Sequence, residues 1–146
     1  MKLRSYESEK KGFTLLELLV VIGIIALLVG IATVSYSAAQ ARTRDARRRA
    51  DLNSMKDALE QYYSATSFVY PATCSTAATD FLKSSWPVDP GATMSYDDFC
   101  DADSYYICAT MEVTTAGNAS AAATDADGTG LVWDSNGAYY CVGNLQ

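Results

Sequence analysis

Histidine is absent from this 146-residue chain. With it go the commonest general base and metal ligand, and the hydrolase arrangements that rest on an imidazole. Proline is scarce: Pro71, Pro87 and Pro90 are the only three, so no proline breaks a helix in the first part of the chain. Charge is missing from a long stretch, because between Phe13 and Ala41 the only side chain ionised at neutral pH is Glu17. Beyond Arg49 positive charge is nearly gone too, with Lys56 and Lys83 alone against thirteen Asp and Glu. An acidic half of this kind lacks the clustered Lys and Arg that a general nucleic-acid surface needs. No nucleophile–base set and no glycine-rich phosphate loop occurs, so the chain reads as a non-enzyme.

What is present is organised around residues 12–41, GFTLLELLVVIGIIALLVGIATVSYSAAQA. At ~1.5 Å per residue, Leu18 to Val34 with its weakly polar shoulders matches the ~30 Å interior of a bilayer. The segment ahead of it, MKLRSYESEKKG, holds four Lys or Arg and two Glu. A carboxylate at Glu17, just inside the apolar run, is costly in lipid and implies a purpose. An ordinary signal peptide is the rival reading, since Ala39-Gln40-Ala41 looks like a small-residue cleavage site. Against it, the apolar stretch is about twice the ~7–15 residues of a signal-peptide core, and Glu17 lies within it.

Lys11-Gly12-Phe13-Thr14-Leu15-Leu16-Glu17 followed by about twenty apolar residues resembles the N-terminal signature of type IV pilins and type II secretion pseudopilins. The resemblance implies cleavage by a prepilin peptidase after Gly12 and methylation of the new Phe13 amine. It implies a single-pass membrane precursor with its C-terminal domain outside the cytoplasm. It further implies assembly by pilus or secretion machinery into a helical homopolymer, an extracellular filament in the pilin case. In that assembly Glu17 would meet the Phe13 amine of a neighbouring copy. A type IV pilin serving motility, adhesion or DNA uptake is the leading reading, and a pseudopilin the second. A third, of another class, is a membrane-anchored or secreted ligand-binding domain that never polymerises.

The expected organisation is a cytoplasmic leader at 1–12, a transmembrane and assembly helix at 13–41, its extracytoplasmic continuation at 42–65, and a globular head at 66–146. Leu52, Met55, Leu59 and Tyr62 recur at helical spacing, with Asp51, Lys56, Asp57 and Glu60 off that stripe. One helix of ~50 residues is the economical reading. Arg42, Arg44, Arg47, Arg48 and Arg49 follow the span closely. Counted alone they would reverse its orientation, but the leader and the cysteines require a translocated C-terminus. The cluster could bind lipid phosphates, acidic residues of adjacent copies or DNA, or form a solvated helix face.

Turn signals crowd residues 64–104, around Tyr70-Pro71, Trp86-Pro87 and Asp89-Pro90-Gly91. Strands are expected over 105–113, 130–133 and 138–142, the last two joined through Asn136-Gly137, a hairpin signal. The expected fold is therefore α+β and pilin-like: a long N-terminal helix packed on a small antiparallel sheet of three or four strands.

All four cysteines, Cys74, Cys100, Cys108 and Cys141, follow the apolar run. An even number in a small extracytoplasmic domain reads as two disulfides; zinc is disfavoured by the lack of His and of close Cys pairs. Three connectivities are possible. The mid-strand positions of Cys108 and Cys141 favour joining those two, leaving Cys74 for Cys100. Asp125, Asp127 and Asp134 are weak calcium candidates, because Asp125-Ala126-Asp127-Gly128 lacks the full twelve-residue loop and its terminal Glu. No other cofactor is expected. The ten tyrosines with Trp86 and Trp133 suit core and sheet packing better than a ligand platform.

Overall fold

The computed structural model of the chain describes residues 12–91 and 94–144, with the backbone alone at Val34. The leader expected at 1–12 lies outside the described residues except for Gly12. Helix α1 runs over Leu15–Ala65, then a 3-10 turn over Cys74–Ala77 and a short α2 over Ala78–Phe81. Five strands follow: β1 Tyr96–Cys100, β2 Tyr105–Thr110, β3 Ala119–Ala121, β4 Val132–Trp133 and β5 Tyr139–Gly143. The chain divides into two compact units, residues 1–38 and 39–146, with α1 contributing to both.

The first unit is the apolar part of α1. It is long and apolar enough to cross a membrane, and none of that stretch is buried against protein. A helix apolar all round, with no protein covering it, is the pattern of a membrane span or of a segment buried in an assembly.

In the second unit, α1 supplies one wall of the core. Leu52, Met55, Ala58 and Leu59 are fully buried. They pack with Tyr105, Ile107 and Ala109 of β2 and Val142 of β5. Alternation along the strands sends Cys108, Cys141 and Ala119 to the opposite face, where Ala123 and the half-buried Leu131 join them. Burying one such aliphatic side chain contributes about 1.5–3 kcal/mol. Helix α1 stops at Ala65, where Ser67 and Phe68 both turn left-handed (φ 61° and 65°) and the Phe68 amide donates to the carbonyl of Tyr63 at 3.0 Å. That closure is normally made with glycine.

The sheet is antiparallel in the order β1-β2-β5-β3-β4. It has five strands where the sequence suggests three or four, because β1 and β3 arise from stretches that read as loop. β1 carries Asp97 and Asp98 mid-strand, both exposed, and lies at the sheet edge where charge is tolerated. β3 is three small residues. The expected hairpin between β4 and β5 does not form, since β3 lies between them. The turn at 134–137 closes locally, Gly137 N–H donating to Asp134 at 3.1 Å. It then presses Gly137 against the β3 backbone: a Cβ there would lie 1.8 Å from the Ala119 carbonyl oxygen. The glycine of Asn136-Gly137 thus serves a close strand approach rather than a two-strand hairpin.

Candidate processing and assembly site

The start of α1 is built from four residues. Gly12 and Phe13 precede the helix, both exposed, Phe13 at 90%. Thr14 caps it. Its hydroxyl accepts from the Glu17 amide at 3.2 Å, while its amide and hydroxyl both donate to Glu17 Oε2 at 2.8 Å. This reciprocal Thr-x-x-Glu arrangement satisfies amide groups that a helix otherwise leaves orphaned at its first turn. It also places a carboxylate at the positive end of the helix dipole. Both bonds fall on Oε2, so Oε1 has no partner among the described residues. The Thr14-x-x-Glu17 spacing was in the sequence, and it is the signal by which this cap could be read.

Beyond Glu17 the large apolar side chains from Leu18 to Ile31 are about half or more exposed. The hydroxyls in the weakly polar shoulder bond back into the helix, Thr33 to the Gly30 carbonyl at 3.0 Å and Thr43 to that of Ala39 at 2.9 Å. Such back-bonding removes their need for water and suits an apolar surrounding.

The arginines after the span are largely engaged within the head. Arg48, with a side chain 1% exposed, forks onto Asp89 at 2.5 and 3.1 Å and reaches Asp45 at 2.7 Å and Glu112 at 2.9 Å. Arg44 holds the same Glu112 through both carboxylate oxygens. Asp45 accepts from the backbone amides of Glu112 and Val113 at 2.9 Å each. Arg49 donates to the Ala116 carbonyl and lies 5.5 Å from the Tyr140 ring centre. Arg47 is only 4.0 Å from Asp51 and largely exposed, and Arg42 is exposed. Among the described residues, Arg42 and Arg47 are the arginines of the cluster with no partner beyond α1. The hydrogen bonds from Arg44 and Arg48 pull the Glu112 carboxyl down to about 2. Burial works against ionisation of Asp89, but the bonds from Arg48 and the Gly91 amide hold its pKa below the usual range.

Two disulfides brace the head: Cys74–Cys100 ties the 3-10 turn to β1, and Cys108–Cys141 joins β2 to β5. Cys108 and Cys141 are directly opposed in the ladder, with Cα atoms 4.1 Å apart. This is a non-hydrogen-bonded pair, the place where antiparallel strands approach most closely. The calcium candidates are not gathered. Asp125 Oδ1 accepts from the amides of Asp127 and Thr129, Asp127 takes the Ser104 hydroxyl, and Asp134 accepts from Asn136 in its own turn. Among the described residues no group of three His, Cys, Asp or Glu side chains is placed to hold a metal ion. Tyr70 and Tyr105 are buried and share Glu60, with burial first and that carboxylate second raising Tyr70 to about 12.

A basic N-terminal stretch, a small residue at the junction and an apolar helix opened by a capped carboxylate together fit a precursor anchored in a membrane by one helix. Residues 8–33 match the prokaryotic N-terminal methylation motif. The chain thus carries at its N-terminus the prepilin signature, that of a type IV pilin-like or pseudopilin precursor. No solved structure matches the chain.

Proposed function

We propose that this chain is a type IV pilin subunit, made as a membrane-anchored precursor, cleaved after Gly12, methylated on the Phe13 amine and polymerised through its apolar helix into a surface filament. Glu17 is the observation that carries the reading. In a plain membrane anchor the carboxylate would do no more than cap its own helix, at the cost of a charge held inside the span. In a filament, hydrolysis of the Gly12–Phe13 bond exposes a cation, and methylation leaves it charged. The Glu17 carboxylate of one copy would neutralise the Phe13 amine of the next in a low-dielectric core, offsetting the desolvation of both and fixing the axial register. Oε1 is free for that contact while Oε2 keeps the cap of its own helix.

The membrane orientation follows from the same reading: residues 1–12 cytoplasmic, the head with its two disulfides in an oxidising compartment. Prepilin peptidase and an assembly machinery are the implied partners, with lipids around the helix before assembly. Motility, adhesion and DNA uptake are the roles such a filament would serve. The pseudopilin reading rests on the same signature and differs in where the polymer ends, a short piston instead of a surface fibre. Electron microscopy of cells expressing the chain, with immunolabelling, tests the proposal. Labelled surface filaments are expected; a processed protein found only as a dispersed membrane monomer would favour the non-polymerising alternative.

A further inference from the structure

At the β3 side of β5 the sheet opens. Among the described residues β3 pairs with β5 at Ala119 opposite Tyr139 alone, and from Cys141 onward no described strand lies on that side of β5. The Asn118 side chain substitutes for one there, donating to the Cys141 carbonyl at 2.9 Å and accepting from the Cys141 amide at 2.7 Å. Ladder alternation turns the next peptide groups on that edge, those of Gly143, to the same open side. A groove of about 250 Å³ lies against this edge, with Trp133 and Tyr140 on the sheet side and Asn53 and Lys56 from α1.

Three properties of the groove stand out. Trp133 is 57% exposed at its lip, although a large aromatic surface is ordinarily buried. None of the lining residues is acidic, in a stretch beyond Ala50 that holds thirteen carboxylates and two lysines, and one of those lysines is Lys56. The side chains of Asn53 and Lys56 make no hydrogen bond or ion pair with a described residue. Arg49, over the Tyr140 ring, adds a second cation beside it.

We infer that this groove binds a single saccharide ring that carries an acidic group. The apolar C–H face of a pyranose stacks on the indole of Trp133, its hydroxyls find the amide of Asn53 and the open Gly143 edge, and its carboxylate is set against Lys56. A few convergent polar groups beside an aromatic wall are the usual make-up of a small-ligand site. The size agrees: the volume is just under the ~300–1,000 Å³ of sites for drug-sized ligands, which leaves room for one ring. An added peptide strand fits the edge less well. Strand addition needs a run of alternate open peptide groups, and Asn118 already occupies those of Cys141. The inference does not depend on whether the chain polymerises.

The full-length protein in detergent, with both disulfides intact, can be titrated with N-acetylneuraminic acid, glucose, sodium acetate and an alternating Thr-Val pentapeptide. Saturation-transfer NMR on each probe gives the affinity. N-acetylneuraminic acid is expected to bind saturably, and glucose and acetate about tenfold or more weakly. Lys56→Gln, at a half-buried position of α1, should bring the acidic sugar down to the level of glucose. Trp133→Ala should abolish saturation transfer, and Trp133→Phe, which keeps a ring if the alanine variant folds poorly, should retain part of it. Absence of saturable sugar binding, equal binding of acetate, indifference to Lys56→Gln, or binding of the pentapeptide in place of the sugar would each overturn the inference.

Discussion

Arg48 shows how far the head depends on single residues. It is sealed from solvent and neutralised by Asp45, Asp89 and Glu112, which come from its own helix, the loop before β1 and the segment after β2. Breaking such a cluster from one side leaves charges buried without a partner, so Arg48→Met should cost about 3–5 kcal/mol, read as a fall in the midpoint of unfolding followed by near-UV circular dichroism. The pH response follows from the same bonds. Glu112 titrates at about 2 in the folded chain, below its ordinary value. A depressed carboxyl contributes stability that is complete above its unfolded pKa, near ~4.3, and is lost as pH falls through the folded one. Melting temperature should therefore hold steady above about pH 5 and drop towards pH 2. Glu112→Gln should lower it at neutral pH and flatten that drop; an equally steep drop in the variant would assign it to other carboxylates. None of this was read from the sequence, where the arginines look like a surface cluster, because the partners outside the helix, Asp89 and Glu112, lie 41 to 68 residues away. A signal was nonetheless present. Asp45 and Arg48 continue the helical spacing of Leu52, Met55 and Leu59, and charges on a core stripe call for internal partners.

At the scale of elements, what was legible followed periodicity, and what was not followed contact. The length of α1, its buried stripe and strands β2 and β5 are written in 3.6- and 2-residue repeats. β1 is hidden by two aspartates that its edge position tolerates, and β3 by its composition of small residues in a loop-like stretch. The order β5-β3-β4 depends on backbone approach at Gly137 and Gly117, which no local pattern reveals. Gly137→Ala tests that approach. The added methyl meets the Ala119 backbone, so the variant should lose about 1–3 kcal/mol or more. Hydrogen exchange should speed up at Asn118 and Cys141 first; unchanged protection there would show that the turn relaxes without moving β3. The disulfides act on the same elements. Replacing Cys108 and Cys141 together by Ser should cost about 2–4 kcal/mol, measured by denaturant unfolding.

For the whole molecule, the signature at the N-terminus was legible in sequence because it consists of the residue order itself, basic, then small, then apolar. The cap that holds Glu17 was not read until the geometry of Thr14 was seen, and it changes how the filament proposal is tested. The mature chain is expected to begin at methylated Phe13, as intact-mass spectrometry would show; a chain beginning at Arg42 would mean ordinary signal-peptide cleavage. Loss of Glu17 to alanine removes the carboxylate's half of the cap together with the charge, so it cannot say which one assembly needs. Glu17→Gln separates them, since glutamine serves in a capping box but carries no charge. The most direct measurement is a count of filaments by electron microscopy from cells making Glu17→Gln, with cleavage after Gly12 followed in the same cells. The account predicts a cleaved, membrane-inserted protein and filaments abolished or sharply reduced. Filaments at the parental level from the uncharged variant would contradict it.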